Sequence, residues 1–180
     1  MIYLSRTLIM IGFAFFAWTS MNYAGEEKMA PYVGSEEFQR IKALAGVWEG
    51  THAMGKEGNE EKVTVEYQVT SGGNAVVEKL FTGTPHEMVS VYHDSKNGKL
   101  SMTHYCMLPN RPELILTSAD KNRLDMTLAE NSDIDVAKET HMHSLTISFS
   151  DPDHMTQKWM SFEGGKEKDS TIIELSRVRK

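Results

Sequence analysis

The stretch Val63-Thr64-Val65-Glu66-Tyr67-Gln68-Val69-Thr70 alternates apolar and polar residues without a break, and Ser71-Gly72-Gly73-Asn74 follows at once. Successive side chains of a strand point to opposite faces. A period of two therefore reads as a half-buried β-strand running into a turn. The same grammar continues downstream. Ala75, Val77 and Phe81 supply the next apolar positions, and Val89 and Val91 precede Ser95-Lys96-Asn97-Gly98. That tetrapeptide is a hairpin signal, because Asn and Gly both tolerate positive φ. Strands are then expected over 100–108, 113–118, 123–129, 139–150, 154–163 and 169–179, with a looser stretch at 130–138. Asp151-Pro152-Asp153 and Gly164-Gly165 supply connecting turns.

Upstream of this run the pattern predicts a single helix. Ser35 has the chemistry of an N-cap, Glu36 and Glu37 sit where the helix dipole favours negative charge, and Phe38, Ile41 and Leu44 make one apolar stripe before Gly46. Residues 25–34 read as a linker. About nine or ten strands in meander order can close into a barrel or split into a sandwich. Short turns and up-and-down connectivity favour closure, which also removes the exposed edges that invite aggregation. The expected fold is all-β: a closed antiparallel up-and-down barrel of about ten strands over residues 35–180, preceded by one short helix. Such a barrel is wide enough to hold a small ligand.

Leu44-Ala45-Gly46-Val47-Trp48-Glu49-Gly50 places a Gly-x-Trp opening on the first strand, just after the helix, and Arg177 falls on the last strand. This resembles the lipocalin-like, or calycin, superfamily. The resemblance implies that Trp48 closes one barrel end with Arg177 packed over it as a structural lock. The order of elements also resembles nitrobindin-type heme-binding barrels and fatty-acid-binding proteins, although no single histidine matches an axial heme ligand. Gly83-Thr84-Pro85-His86-Glu87-Met88, Thr103-His104-Tyr105-Cys106 and His141-Met142-His143 are similar to phrases in a group of uncharacterised exported bacterial proteins. That resemblance implies a fold and an envelope location, without an activity.

Composition narrows the function classes. Among 180 residues, 25 acidic side chains outnumber 19 Lys and Arg, for a net charge of -6. No basic field is available for nucleic acid or an anionic membrane. The first two dozen residues differ from the rest. Arg6 precedes an almost unbroken apolar run from Thr7 to Trp18, then come Thr19, Ser20 and Asn22, with Ala24 as a candidate cleavage residue. The run is shorter than the ~20 residues of a membrane span and fits a secretory leader. Residues 1–24 are accordingly expected to be a signal peptide, or an N-terminal anchor if uncleaved. The location expected is periplasmic or secreted, with no membrane span in the mature domain. The single cysteine, Cys106, allows no intrachain disulfide. An exported lone thiol must be buried or occupied to escape oxidation.

Alternation also sorts the histidines. A turn centred on Asn97-Gly98 would pair His93 with Met102, Val91 with His104 and Val89 with Cys106, all on one largely apolar face. His93, Met102, His104 and Cys106 are then expected to point inward. On the strand at 139–150, His141, His143, Leu145, Ile147 and Phe149 share a face against Thr140, Met142, Ser144, Thr146 and Ser148. Both histidines of His-x-His would therefore look into the barrel. His52 and His154 lie near strand ends and should be solvated. His86 and Glu87, in a turn, can line the barrel mouth.

Three functions follow from these residues. One is an exported binding protein for a small hydrophobic ligand or cofactor, with His86, Glu87, His93, Met102 and His104 at the ligand. Another is a metal or heme protein, a reading that leaves enzymatic chemistry open, with His104, Cys106, His141 and His143 as donors. Imidazole with thiolate suits zinc or copper, and one histidine could instead ligate heme iron. The third is a structural or interaction module. Buried histidines and a lone buried Cys are also common as simple core residues. No Gly-rich phosphate loop, Gly-x-Ser-x-Gly, Cys-x-x-Cys or His-Glu-x-x-His occurs.

Overall fold

The computed structural model describes residues 30–54 and 61–179. The expected leader at 1–24 and the first half of the linker at 25–34 lie outside the described residues. Helix α1 (Glu36–Lys42) is followed by ten strands: β1 (Gly46–Met54), β2 (Glu61–Thr70), β3 (Ala75–Leu80), β4 (Met88–Asp94) and β5 (Leu100–Tyr105), then β6 (Glu113–Asp120), β7 (Arg123–Leu128), β8 (His141–Asp151), β9 (His154–Glu163) and β10 (Lys166–Arg177). Each strand pairs antiparallel with its sequence neighbours, and β1 pairs with β10 to close the barrel. The sandwich is thereby excluded. Among the described residues no helix is long and apolar enough to cross a membrane.

The helix forms where its cap and stripe place it. The Ser35 hydroxyl accepts from the Phe38 amide at 3.1 Å, and Asp94, at the end of β4, accepts from the Ser35 amide and hydroxyl at 2.7 Å each. Phe38 and Ile41 are fully buried against the barrel core. One end of the barrel is stoppered in this way. Directly beneath, the Trp48 indole N–H donates to the Leu44 carbonyl at 2.8 Å, and the Arg177 guanidinium lies over the Trp48 ring at 4.3 Å.

The seam between β1 and β10 needs glycine at position 50. A Cβ there would stand 1.7 Å from the Glu174 carbonyl oxygen. The backbones can approach this closely only without a side chain.

Two registers differ from those read in the sequence. The β4–β5 hairpin pairs Asp94 with Leu100, Tyr92 with Met102 and Ser90 with His104. The Ser95 amide donates to the Lys99 carbonyl across a three-residue loop, Lys96-Asn97-Gly98, in which Gly98 has φ +73°. The odd loop length slips the register by one residue and turns β4 over. Ser90 and Tyr92 face the interior, while Val89, Val91 and His93 share the outer side. The parity of β3 is likewise inverted: Val76, Glu78 and Leu80 are buried, and Ala75 and Val77 are the partly covered positions.

The second difference is a bulge in β8. Met142 pairs with Ser161 and Ser144 with Met160, which leaves His143 without a partner across the strand. Below it Leu145 and Ile147 are buried as expected. Above it the faces exchange.

Candidate functional site

At the end of the barrel opposite α1 the strands enclose a cavity of about 230 Å³. Leu80, Phe81 and Met88 wall it from the β3–β4 side. His104 contributes from β5, and Cys106, Met107 and Leu108 from the segment just beyond. Met142 of β8, Trp159 of β9, and Thr171 and Ile173 of β10 complete the lining. The wall is mostly hydrocarbon and thioether. Its side-chain polar atoms come from His104, Cys106, Thr171 and Trp159. Met107 is 68% exposed, so this end forms the mouth.

A polar cluster is buried inside the barrel, joined to the cavity wall through His104 and Trp159. Glu78 is fully buried and receives the hydroxyls of Tyr67 and Tyr92, the latter at 2.9 Å, together with the amide of Gln157. Orientation of the Gln157 amide is fixed by Trp159. An indole N–H can only donate, so the atom 2.9 Å from it is the Gln157 carbonyl oxygen, and the NH2 group turns toward Glu78 and Tyr67. No cation meets the carboxylate among these contacts. Burial raises its pKa, and the hydrogen bonds from Tyr67, Gln157, Tyr92 and Ser90 oppose the rise. Tyr67 and Tyr92 are held well above the usual phenol range by burial and by the neighbouring carboxylate.

His104 joins this cluster to the cavity. Its Nδ1 lies 3.0 Å from the Ser90 hydroxyl, and its ring packs against Trp159 with centroids 4.5 Å apart. Burial depresses its pKa from 6.5 to about 4, so the imidazole is neutral at physiological pH. The Cys106 thiol is also held above its ordinary pKa by burial, which keeps it protonated and poorly nucleophilic.

The remaining residues singled out in the sequence go elsewhere. Met102 is fully buried in the core beside Tyr92. His93 lies on the outer side, with Nδ1 3.1 Å from the Asp94 carbonyl. His141 and His143 do not line the cavity. The bulge sends Met142 there in their place, and His143 stacks on Phe162 at 3.9 Å while its Nδ1 meets His141 Nε2 at 3.1 Å. His141 in turn contacts the Glu139 carbonyl at 2.9 Å. Burial, then the neighbouring His141, pushes the His143 pKa down. The set His104, Cys106, His141 and His143 is thus split between two places. Among the described residues no three His, Cys, Asp or Glu side chains converge as a metal site.

His86 and Glu87 stay in the exposed 81–87 loop, where Glu87 accepts from the Gly83 amide at 2.9 Å. His154 is exposed and bonded to Asp151, as a solvated residue would be. His52 is not solvated: only 12% of its side chain is exposed, and it packs edge-on against Phe81 with centroids 4.8 Å apart. Phe81 itself has φ +56°, an unfavourable conformation for an aromatic residue that places the ring at the cavity wall.

Glu78, Tyr67, Tyr92, Ser90 and Gln157 are not singled out as site residues by the sequence. A glutamate within Val76-Val77-Glu78-Lys79-Leu80 reads as an outward charge whenever the strand is given the wrong parity. Only the strand registers reveal that three groups inside the barrel are arranged to receive it.

No protein-family model and no curated protein matches the chain. Among solved structures it is similar to a protein of unknown function from the DUF3598 family of Nostoc punctiforme, at 13% identity and a TM-score of 0.41. The match covers 77% of this chain and 48% of that one, so the chain spans about half that protein's length.

Proposed function

We propose that this protein is a lipocalin-like binding protein that holds one small, largely apolar molecule at the open end of its barrel. The observation that carries this reading is the cavity of about 230 Å³, walled by Leu80, Met88, Met142, Trp159 and Ile173, with a neutral His104 at its base. Ligand sites are typically apolar pockets with a few placed polar groups, and drug-sized ligands occupy roughly 300–1,000 Å³. This cavity is smaller, which favours a molecule of one or two rings, or a short chain, over a porphyrin. The apolar run at 7–18 supports an exported location, to be checked by cell fractionation of the full chain.

The test is direct because Trp159 lines the cavity. Titration of the full chain with p-cresol, indole or toluene should change tryptophan emission saturably at one molecule per chain. Substituting Met142→Trp should fill the space and abolish the change while the barrel stays folded. An unchanged emission spectrum and no heat of binding for any of these probes would overturn the proposal.

A further inference from the structure

We infer that the molecule held in this cavity is a flat aromatic one, and that the site discriminates against saturated rings and alkyl chains of the same size. This rests on the binding reading above and narrows the class of what is bound.

Two rings meet across the lumen at the cavity. His104 stands on β5 and Trp159 on β9, four places apart in the closed order of ten strands. Their contact, with centroids 4.5 Å apart, therefore joins opposite walls of the barrel. Each ring is tethered by a polar atom. His104 Nδ1 lies 3.0 Å from the Ser90 hydroxyl, and the Trp159 indole N–H donates to the Gln157 carbonyl at 2.9 Å. The indole has no second donor, so what Trp159 offers the cavity is π-surface. Phe81 supplies a third ring. Its backbone is held at φ +56° and its ring stands edge-on to His52, at 83° between planes. Rings already fixed in place give up little freedom when a guest arrives, and aromatic pairs gain more than the area they bury.

The rest of the wall is rich in sulfur. Met88 on β4 and Met142 on β8 both line the cavity, and Met107 stands at its mouth. Strands β4 and β8 are also four places apart, so a guest between them meets a thioether from either side. A thioether is polarisable and makes favourable contacts with aromatic rings, and its flexible chain adapts to their outline. Burial of apolar area alone would rank guests differently. A saturated ring of equal carbon count is the more hydrophobic and would then bind at least as well. The predicted preference runs against that order, which makes it separable from simple greasiness.

Two measurements test this. The first compares benzyl alcohol, cyclohexylmethanol and 1-heptanol on the native full chain by calorimetry. All three share one hydroxyl and the same number of carbons, so the ratio of affinities reports aromaticity. Benzyl alcohol should bind about tenfold more tightly than either of the others. In Met88→Leu/Met142→Leu, which keeps side-chain volume and removes both sulfurs, that advantage should shrink about threefold. Equal or tighter binding of cyclohexylmethanol or 1-heptanol to the native protein would overturn the aromatic preference while leaving the binding function intact. An undiminished advantage in the variant would overturn the part assigned to the thioethers. Failure of all three ligands to bind would instead bring down the binding reading, and this inference with it. The second measurement needs no variant. An aromatic guest shifts nearby methyl resonances through its ring current, and a saturated one does not. The Met88 and Met142 methyl signals of the native protein should therefore move far more with benzyl alcohol than with cyclohexylmethanol. Equal movement with the two would refute the contact.

Discussion

Arg177 holds its guanidinium over the Trp48 indole at 4.3 Å while donating to the carbonyls of Ala43 at 2.8 Å and Ala45 at 2.9 Å. One side chain from the last strand therefore fastens both the first strand and the end of the helix. Only 22% of it is exposed, so its contacts escape most solvent screening. Arg177→Leu should lower stability by about 2 kcal/mol, from the lost cation–π contact and two carbonyls left without their donor. Arg177→Lys should recover part of this, since a point charge cannot reproduce the planar fork. Urea unfolding checks both, and equal midpoints for native protein and Arg177→Leu would contradict the account.

At Gly50 the smallest possible addition should be costly. A methyl group would have to displace the Glu174 backbone, because the two would otherwise stand 1.7 Å apart. Gly50→Ala is expected to destabilise the barrel by about 3 kcal/mol, the upper range for overpacking a well-filled site. Amide exchange should show the loss concentrated in the β1–β10 pairing. Uniform protection across all ten strands would argue against a local wedge.

Stability should depend on His104 protonation in a defined window. The folded pKa lies near 4 and the ordinary value at 6.5, so between these pH values the unfolded chain binds the proton and the folded protein does not. Stability is then greatest above 6.5 and declines as pH falls toward 4, by on the order of 3 kcal/mol from this residue. Glu78 acts in the opposite sense: its raised pKa contributes stability below the ordinary carboxylate range that is lost as pH climbs through its folded value. Subtracting the pH profile of His104→Leu from that of the native protein isolates the histidine. A flat difference curve between pH 4 and 6.5 would show that His104 is not buried as a neutral ring.

The other histidines should be dispensable for binding. His93→Ala and His143→Ala remove rings that lie outside the cavity, so p-cresol affinity should stay within about twofold of native, the scatter expected of remote substitutions. A large loss in either variant would mean that the cavity extends to the ring removed.

What could be read in advance follows from which signals were local. The alternation of Val63, Val65 and Tyr67 survives intact in β2, and the N-cap chemistry of Ser35 is satisfied by the Phe38 amide. Met102 and His104 point inward because β5 keeps its parity after the turn. The reading of β4 fails for a geometric reason: Asn97-Gly98 announces a hairpin, but whether two or three residues form its loop decides which side His93 takes. The His141–His143 pair fails for a similar one. A single extra residue in β8 interrupts the period of two, and a bulge leaves no mark in composition. Glu78 was hidden because its partners, Tyr67, Tyr92 and Gln157, come from three other strands and meet only once the barrel closes.

The stoppered end has its own consequence for exchange. With α1 and the Trp48–Arg177 pair sealing one side of the barrel, the described residues leave an opening beside Phe81 and Met107, and on the proposed binding function arrival and departure share it. A resident molecule bars the next, so one guest must leave before another enters. Displacement by a competitor should then proceed no faster than spontaneous release, however concentrated the competitor.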